Sequence, residues 1–242
     1  MKVAVISDIH GNLEAFREVL ADIDRIGADS IICLGDIIGY GPNPEEVVGL
    51  LRSRSIPSVM GNHELALVRA DFLDWFNETA KESLVLTEGL ISADTRHWLT
   101  GLDTTLVFED ALFVHGCPPD SITEYIFEWD DEGLEIILTN MDEQICFVGH
   151  THTLEAISLA DSTVTHHGLQ KGVFELGRQA KYIISVGSVG QPRDGYNNNA
   201  KYTMWDTGQS SLEIRFVPYE VSRTAEKIIS LGFPRINAVR LW

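Results

Sequence analysis

The 242 residues predict a single α/β domain in which two β-sheets pack face to face with helices outside, layered α/β/β/α. Three observations carry this. Apolar runs alternate with helical-period segments over the first 60 residues. Strand-like runs joined by tight links dominate the second half. No low-complexity linker and no internal repeat divides the chain, whose length suits one sizeable core.

Val3 to Ile6 reads as a buried strand. Asn12 then caps a helix in which Leu13, Phe16, Val19, Leu20 and Ile23 recur at helical spacing. Ser30 to Leu34 is a second strand, Pro44 to Arg54 a second helix and Ile56 to Met60 a third strand. That alternation implies right-handed crossovers and a parallel sheet, with a binding crevice at the carboxyl ends of the strands. Residues 64 to 103 look helical and aromatic-rich, with Phe72, Trp75, Phe76 and Trp98. They are expected to pack on the sheet; the sharper alternative is a wall over the crevice, close to a substrate. Strands follow at Thr105 to Phe108, Ala111 to Val114, Ile145 to Val148, Leu154 to Leu159, Thr163 to His167, Tyr182 to Val186, Tyr202 to Asp206 and Leu212 to Val217. The short links Asp161-Ser162 and Gly208-Gln209 suit hairpins, so this part is expected to be antiparallel or mixed. Residues 131 to 139 and Val221 to Leu231 read as helices.

Composition narrows the function. Hydrophobic content of 44% with 22% charged residues is that of a soluble globular protein. The net charge of −18 repels phosphate backbones, so long DNA or RNA is not an expected partner. A small phosphorylated substrate stays open, because bound cations reverse the charge locally. No apolar stretch could span a bilayer, and Val3 to Ile6 is too short for a signal-peptide core. With three cysteines in no paired spacing (Cys33, Cys117, Cys146), a cytoplasmic, reducing location is expected. Oligomeric state cannot be read from these residues.

The chemistry-bearing residues end the expected strands almost one for one. Asp8-x-His10 follows the first, Gly35-Asp36 the second and Gly61-Asn62-His63-Glu64 the third. His115-Gly116 closes a later strand, and Gly149-His150-Thr151-His152 follows Val148. In an extended segment residues two apart share a side, so Asp8 with His10, and His150 with His152, can converge. The glycines permit close approach and unusual backbone angles. A carboxylate such as Asp36 has two oxygens and can bridge two cations. Imidazole and carboxylate donors suit Mn, Fe, Zn and similar metals. Each piece alone is common, but five of the eight histidines fall in these motifs. Together they point to a metal cluster.

This set resembles the calcineurin-like metallophosphoesterase superfamily, whose motifs run in the same order across residues 5 to 152. The stretch Ser185 to Arg193 resembles the signature of its small bacterial and archaeal phosphodiesterase branch. The resemblance implies a two-sheet α/β sandwich and two divalent transition-metal ions, Mn first, with Fe, Zn or Ni as alternatives. It implies that Asp8, His10 and His152 bind one metal, Asn62, His115 and His150 the other, and Asp36 both. His63 would face the leaving oxygen as general acid, with Glu64 orienting it. Arg193 is the remaining candidate for gripping a phosphate, its planar fork matching phosphoryl oxygens. The segment after Gly35-Asp36 lacks the arginine of the large Ser/Thr protein phosphatases, which disfavours a phosphoprotein substrate. Some short relatives carry Cys where this chain has His63, and Ser185 stands where close relatives often have Asn.

The expected activity is therefore hydrolysis of a small phosphodiester or phosphomonoester, a nucleotide among the candidates. The expected chemistry is in-line attack by a hydroxide held between two cations, with His63 protonating the departing oxygen. The alternatives are a dinucleoside polyphosphate hydrolase, or a non-catalytic interaction module on the same fold, as in the retromer subunit that resembles these enzymes. The sequence does not decide whether Tyr40, Tyr125, Trp129 or Tyr196 stacks on a base.

Overall fold

The computed structural model describes residues 1–195 and 197–242. In chain order the elements begin β1 (Lys2–Ile6), α1 (Leu13–Ile26), β2 (Ser30–Cys33), α2 (Pro44–Ser53), α3 (Asn62–Val68), α4 (Glu78–Glu88) and α5 (Ala93–Thr100). They continue β3 (Thr105–Phe108), β4 (Ala111–Val114), α6 (Asp131–Asn140), β5 (Ile145–Val148), β6 (Leu154–Ala160), β7 (Thr163–Gly168) and β8 (Gly172–Glu175). The chain finishes β9 (Lys181–Val186), β10 (Ala200–Asp206), β11 (Ser211–Val217), α7 (Val221–Ser230) and α8 (Arg235–Val239).

Period-two alternation builds the layers. In β1, Val3 and Val5 enter the core between the sheets, while Ala4 and Ile6 meet the helices beneath. In β4 and β5, Ala111, Phe113, Ile145 and Phe147 face the same inter-sheet core. Their neighbours Leu112, Val114, Cys146 and Val148 face a third cluster with Leu134 and Leu138 of α6. Helix, sheet, sheet and helix are thus each joined by an apolar seam, and the α/β/β/α sandwich is the fold. At the centre, Phe147 stacks on Phe113 with ring centroids 5.2 Å apart and contacts Trp205 at 5.3 Å. Removing either phenylalanine side chain would cost about 3–5 kcal/mol.

Among the described residues one sheet has five strands in the order β2-β1-β10-β11-β8, and the other six, β3-β4-β5-β9-β6-β7. The expected parallel sheet is only partly realised. β1 and β2 pair in parallel, but β10 lies antiparallel on the other edge of β1. The expected third strand, Ile56 to Met60, forms only isolated bridges, Cys33 to Ser58 and Val59 to Asp103. Its amides switch partner at once, from the Cys33 carbonyl at Val59 to the Asp103 carbonyl at Met60, so no ladder can build. β8 and α8 have no counterpart in the sequence reading; β8 is a mostly exposed edge strand without alternation. Among the described residues no helix is long and apolar enough to cross a membrane.

Candidate metal centre

The ends of β1, β2, β4 and β5 meet in one place, held by close contacts between their loops. The amide of Asp8 donates to the Gly35 carbonyl at 3.1 Å, that of His10 to the Asp36 carbonyl at 2.9 Å, and that of Gly149 to the His115 carbonyl at 2.9 Å. Such proximity explains two glycines: a Cβ on Gly61 would overlap the backbone and carboxylate of Asp36, and one on Gly149 would overlap Ser7. Asp8, His10, Asp36, His150 and His152 all adopt positive φ, between 49° and 62°. The paired residues converge, but by alternate left-handed steps rather than along the extended segment expected. This conformation is uncommon for residues other than glycine and persists only where the surroundings enforce it.

Two groups of donor atoms result, each drawn together within 4.8 Å: Asp8, His10, Asp36 and His152, and Asp36, His115 and His150. Asp36 belongs to both. Its Oδ2 lies 3.6 Å from His10 Nε2, and its Oδ1 lies 3.5 Å from His115 Nε2. Asn62 joins the second group, its Oδ1 being 3.1 Å from His115 Nε2. All seven side chains are buried.

Several contacts test whether a cation fits. His10 Nδ1, His115 Nδ1, His152 Nδ1 and His150 Nε2 each lie 2.6–3.2 Å from a backbone carbonyl, of Ile38, Leu34, Gln191 and Thr123 respectively. A carbonyl can only accept, so each of these nitrogens carries the hydrogen and the other nitrogen of a neutral ring presents a lone pair to the cluster. With the rings neutral, His10 Nε2 faces His152 Nε2 at 3.1 Å and His115 Nε2 faces His150 Nδ1 at 3.2 Å, acceptor against acceptor. Asp8 Oδ1 is buried without a hydrogen-bond partner among the described residues. Asn62 Oδ1 meets only acceptors; turning its amide over would let the nitrogen donate toward Asp36, His115 Nε2 and His150 Nδ1, but would leave His10 facing His152. Divalent cations at the two foci would satisfy every one of these atoms, so the donor set fits them.

Protons compete for the same atoms. Burial disfavours the His115 cation, yet the Asp36 carboxylate outweighs it and raises the ring to about 9. Burial and the neighbouring His115 push His150 down to about 3. A cation bound here would therefore displace protons and bind more weakly in acid.

His63 stands apart from the two donor groups. Its Nε2 lies 3.9 Å from Asp36 Oδ2 and its ring lines the cavity, edge-on to His10 and Tyr40. Burial lowers it to about 4. Among the described residues Glu64 makes no hydrogen bond to that ring. Its Oε2 accepts from the amides of Asp36 and Gly61 at 2.8 and 2.9 Å, and its Oε1 from those of Ile37 and Ile38 at 3.0 and 3.2 Å. The expectation that Glu64 orients His63 gives way to a different contact: Glu64 clasps the backbone that carries Asp36. Arg193 lines the cavity, with its guanidinium 5.9 Å above the Tyr40 ring and Nη2 donating to Gln191 Oε1 at 3.0 Å. The loop before it braces the centre: Ser188 Oγ donates to the Asp8 carbonyl at 2.9 Å, and Ser185 bonds Thr151 rather than the cluster.

The cavity over the centre has a volume of about 690 Å³. Trp75, Phe76 and Asn77 form one wall, so part of the helical region at 64–103 does border it. Tyr40 and Tyr125 are already engaged, Tyr125 being sandwiched between His150 and Phe127 with centroids 3.8 and 4.8 Å away. Trp129 packs at Gly133 beside α6, away from the cavity, and Tyr196 lies outside the described residues. Arg240 and Trp242 also line the cavity and were missed by sequence reasoning. Nothing local in their segment signals it.

Fold and site together define a metallophosphoesterase. The chain belongs to the calcineurin-like phosphoesterase family, whose model matches residues 1–154. It is 37% identical to protein MJ0912 of Methanocaldococcus jannaschii, over 99% of this chain and 97% of that one. Among solved structures it is similar to a metallophosphoesterase from Sphaerobacter thermophilus, with TM-score 0.84 and 34% identity over 100% of this chain and 98% of that one. It shares the fold of protein PH1004 from Pyrococcus horikoshii OT3, with TM-score 0.82 and 17% identity over 100% and 97% of the two chains.

Proposed function

We propose that the protein is a dinuclear metal-dependent hydrolase of small phosphoesters. Asp8, His10 and His152 hold one divalent transition-metal ion, Asn62, His115 and His150 the other, and Asp36 both. The observation that carries this is the pair of donor groups sharing Asp36, with four imidazoles turned inward by backbone carbonyls.

When bound, the two ions supply Lewis acidity toward the phosphoryl oxygens and a water acidified to about pKa 7. Arg193 neutralises charge on the phosphoryl group from the cavity side. His63 delivers a proton from Nε2 to the departing oxygen. Its low proton affinity is offset by the substrate, because a phosphate placed beside the ring favours the imidazolium. Proton and substrate thus arrive together. The interaction-module reading would go with eroded donors, whereas all seven donor residues and His63 are present.

The test is an assay of metal-stripped protein supplied with Mn, Fe, Zn, Ni, Mg or no metal. It compares an aryl phosphomonoester, an aryl phosphodiester and a dinucleoside tetraphosphate, with melting temperature recorded alongside. Metal-restored turnover and a raised melting temperature are expected, most with Mn. No turnover with any metal would leave the fold as an interaction module.

A further inference from the structure

A volume of about 690 Å³ falls within the roughly 300–1,000 Å³ of pockets that enclose a whole organic ligand. A phosphoryl group on the metal centre leaves most of that space to the rest of the substrate. Two cations line it, Arg193 and Arg240, and neither has a carboxylate partner among the described residues. In a chain with 36 acidic and 18 basic residues, two such guanidinium groups on one cavity mark more than one anionic group in the ligand.

The walls add a planar group. Trp75 and Trp242 line the cavity while remaining 46% and 71% exposed. Trp75 has one face stacked on Phe72, with centroids 5.2 Å apart, and lies near-parallel to the His150 ring at a wider 6.3 Å. The tyrosines of the cavity are occupied by His10, His63, His150 and Phe127, so the open aromatic surface belongs to the tryptophans. The amides of Asn77, Asn197 and Asn198 supply donors and acceptors beside them. The segment carrying Arg240 and Trp242 is held in place: Asn237, fully buried, donates to the Tyr40 carbonyl at 3.3 Å and to Ser83 Oγ at 2.8 Å, and Leu241 is buried.

Resting on the phosphoesterase reading, we infer that Arg240, Trp242 and Trp75 form a second subsite, which takes a further phosphate and the base of a nucleoside polyphosphate. Arg240 engages the phosphate remote from the metals, and the indoles cover the base. A sugar phosphate without a base leaves the tryptophans uncovered, and a nucleoside monophosphate leaves Arg240 without an anion.

The experiment is calorimetric binding of four probes to the metal-loaded protein: the non-hydrolysable α,β-methylene analogue of ADP, AMP, ribose 5-phosphate and inorganic phosphate. The wild type is expected to bind them in that order of falling affinity. Arg240→Ala should erase the advantage of the ADP analogue over AMP, about tenfold for one charge-assisted contact. Trp242→Ala should erase part of the advantage of AMP over ribose 5-phosphate, at least about fivefold for a lost base-stacking surface. An Arg240→Ala protein with the wild-type ratio of ADP analogue to AMP overturns the proposal, as does a wild type that binds ribose 5-phosphate as tightly as AMP. Turnover of 4-nitrophenyl phosphate by the wild type is measured separately. Its absence with every metal sinks the hydrolase reading, while the binding order still decides the subsite.

Discussion

Glu64→Gln tests whether the metal centre depends on a carboxylate that never faces it. Glu64 is fully buried, and its two oxygens accept four backbone amides, those of Asp36, Ile37, Ile38 and Gly61. Glutamine keeps the shape and one accepting oxygen, but turns an NH₂ toward the other two amides. Two buried N–H groups then lose their acceptor, at about 1–3 kcal/mol each. The substitution also removes a carboxylate that burial, with Asp36 nearby, has pushed up to about 7, and this offsets part of the loss. A net destabilisation of about 3 kcal/mol corresponds to a fall in melting temperature of roughly 6–12 °C for a chain of this size. The loop released is the one that positions Asp36 at φ 50°, so affinity for both ions should fall as well. Thermal melts with and without Mn, together with a metal titration, read both effects. A variant that melts within about 2 °C of the wild type and keeps its metal affinity would refute the reasoning.

His63→Ala should retain its metals, because no donor atom of either group is removed, and should lose roughly 10²–10⁴-fold in turnover. The loss should be greatest on alkyl esters and least on 4-nitrophenyl phosphate, whose leaving group needs no proton; a lowered metal content would contradict the assigned role. Asp22→Asn tests a buried ion pair away from the site, where Asp22 accepts from the Tyr202 hydroxyl at 2.8 Å and from Arg215 Nε at 3.1 Å. Burial alone would raise the Asp22 carboxyl, but Arg215, Tyr202 and Arg25 outweigh it and hold it below its usual value. Its contribution, about 2 kcal/mol after allowing for the partly exposed Arg215, is therefore present above the unfolded value of roughly 4 and is lost as the pH falls through the folded value. Urea unfolding should show that gap between wild type and variant at pH 7 and a smaller one at pH 3.5; equal gaps at both would count against the pair.

The legible part of this protein is local. Val3 to Ile6, Ala111 to Val114 and Ile145 to Val148 are legible as strands because each is a short apolar run, and a period of two then separates Val3 from Ala4, Phe113 from Leu112 and Phe147 from Cys146 wherever the strand is placed. The metal donors are legible for a similar reason: Asp8, His10, Asp36, Asn62, His115, His150 and His152 are chemically distinctive residues, set beside glycines that a crowded crossing requires. Tertiary structure decided what depends on distant partners. It set β10 against β1, and it split the amides of Val59 and Met60 between the carbonyls of Cys33 and Asp103, which left Ile56 to Met60 as bridges instead of a strand. It turned four imidazoles inward through the carbonyls of Leu34, Ile38, Thr123 and Gln191, groups that every residue has and no pattern marks. It gave Glu64 to the backbone rather than to His63, and brought Arg240 and Trp242 to a cavity whose floor is built from Asp36 and Asn62. A residue's type and spacing travel with the chain, but its neighbours across the sandwich exist only after the two sheets have closed on their shared core.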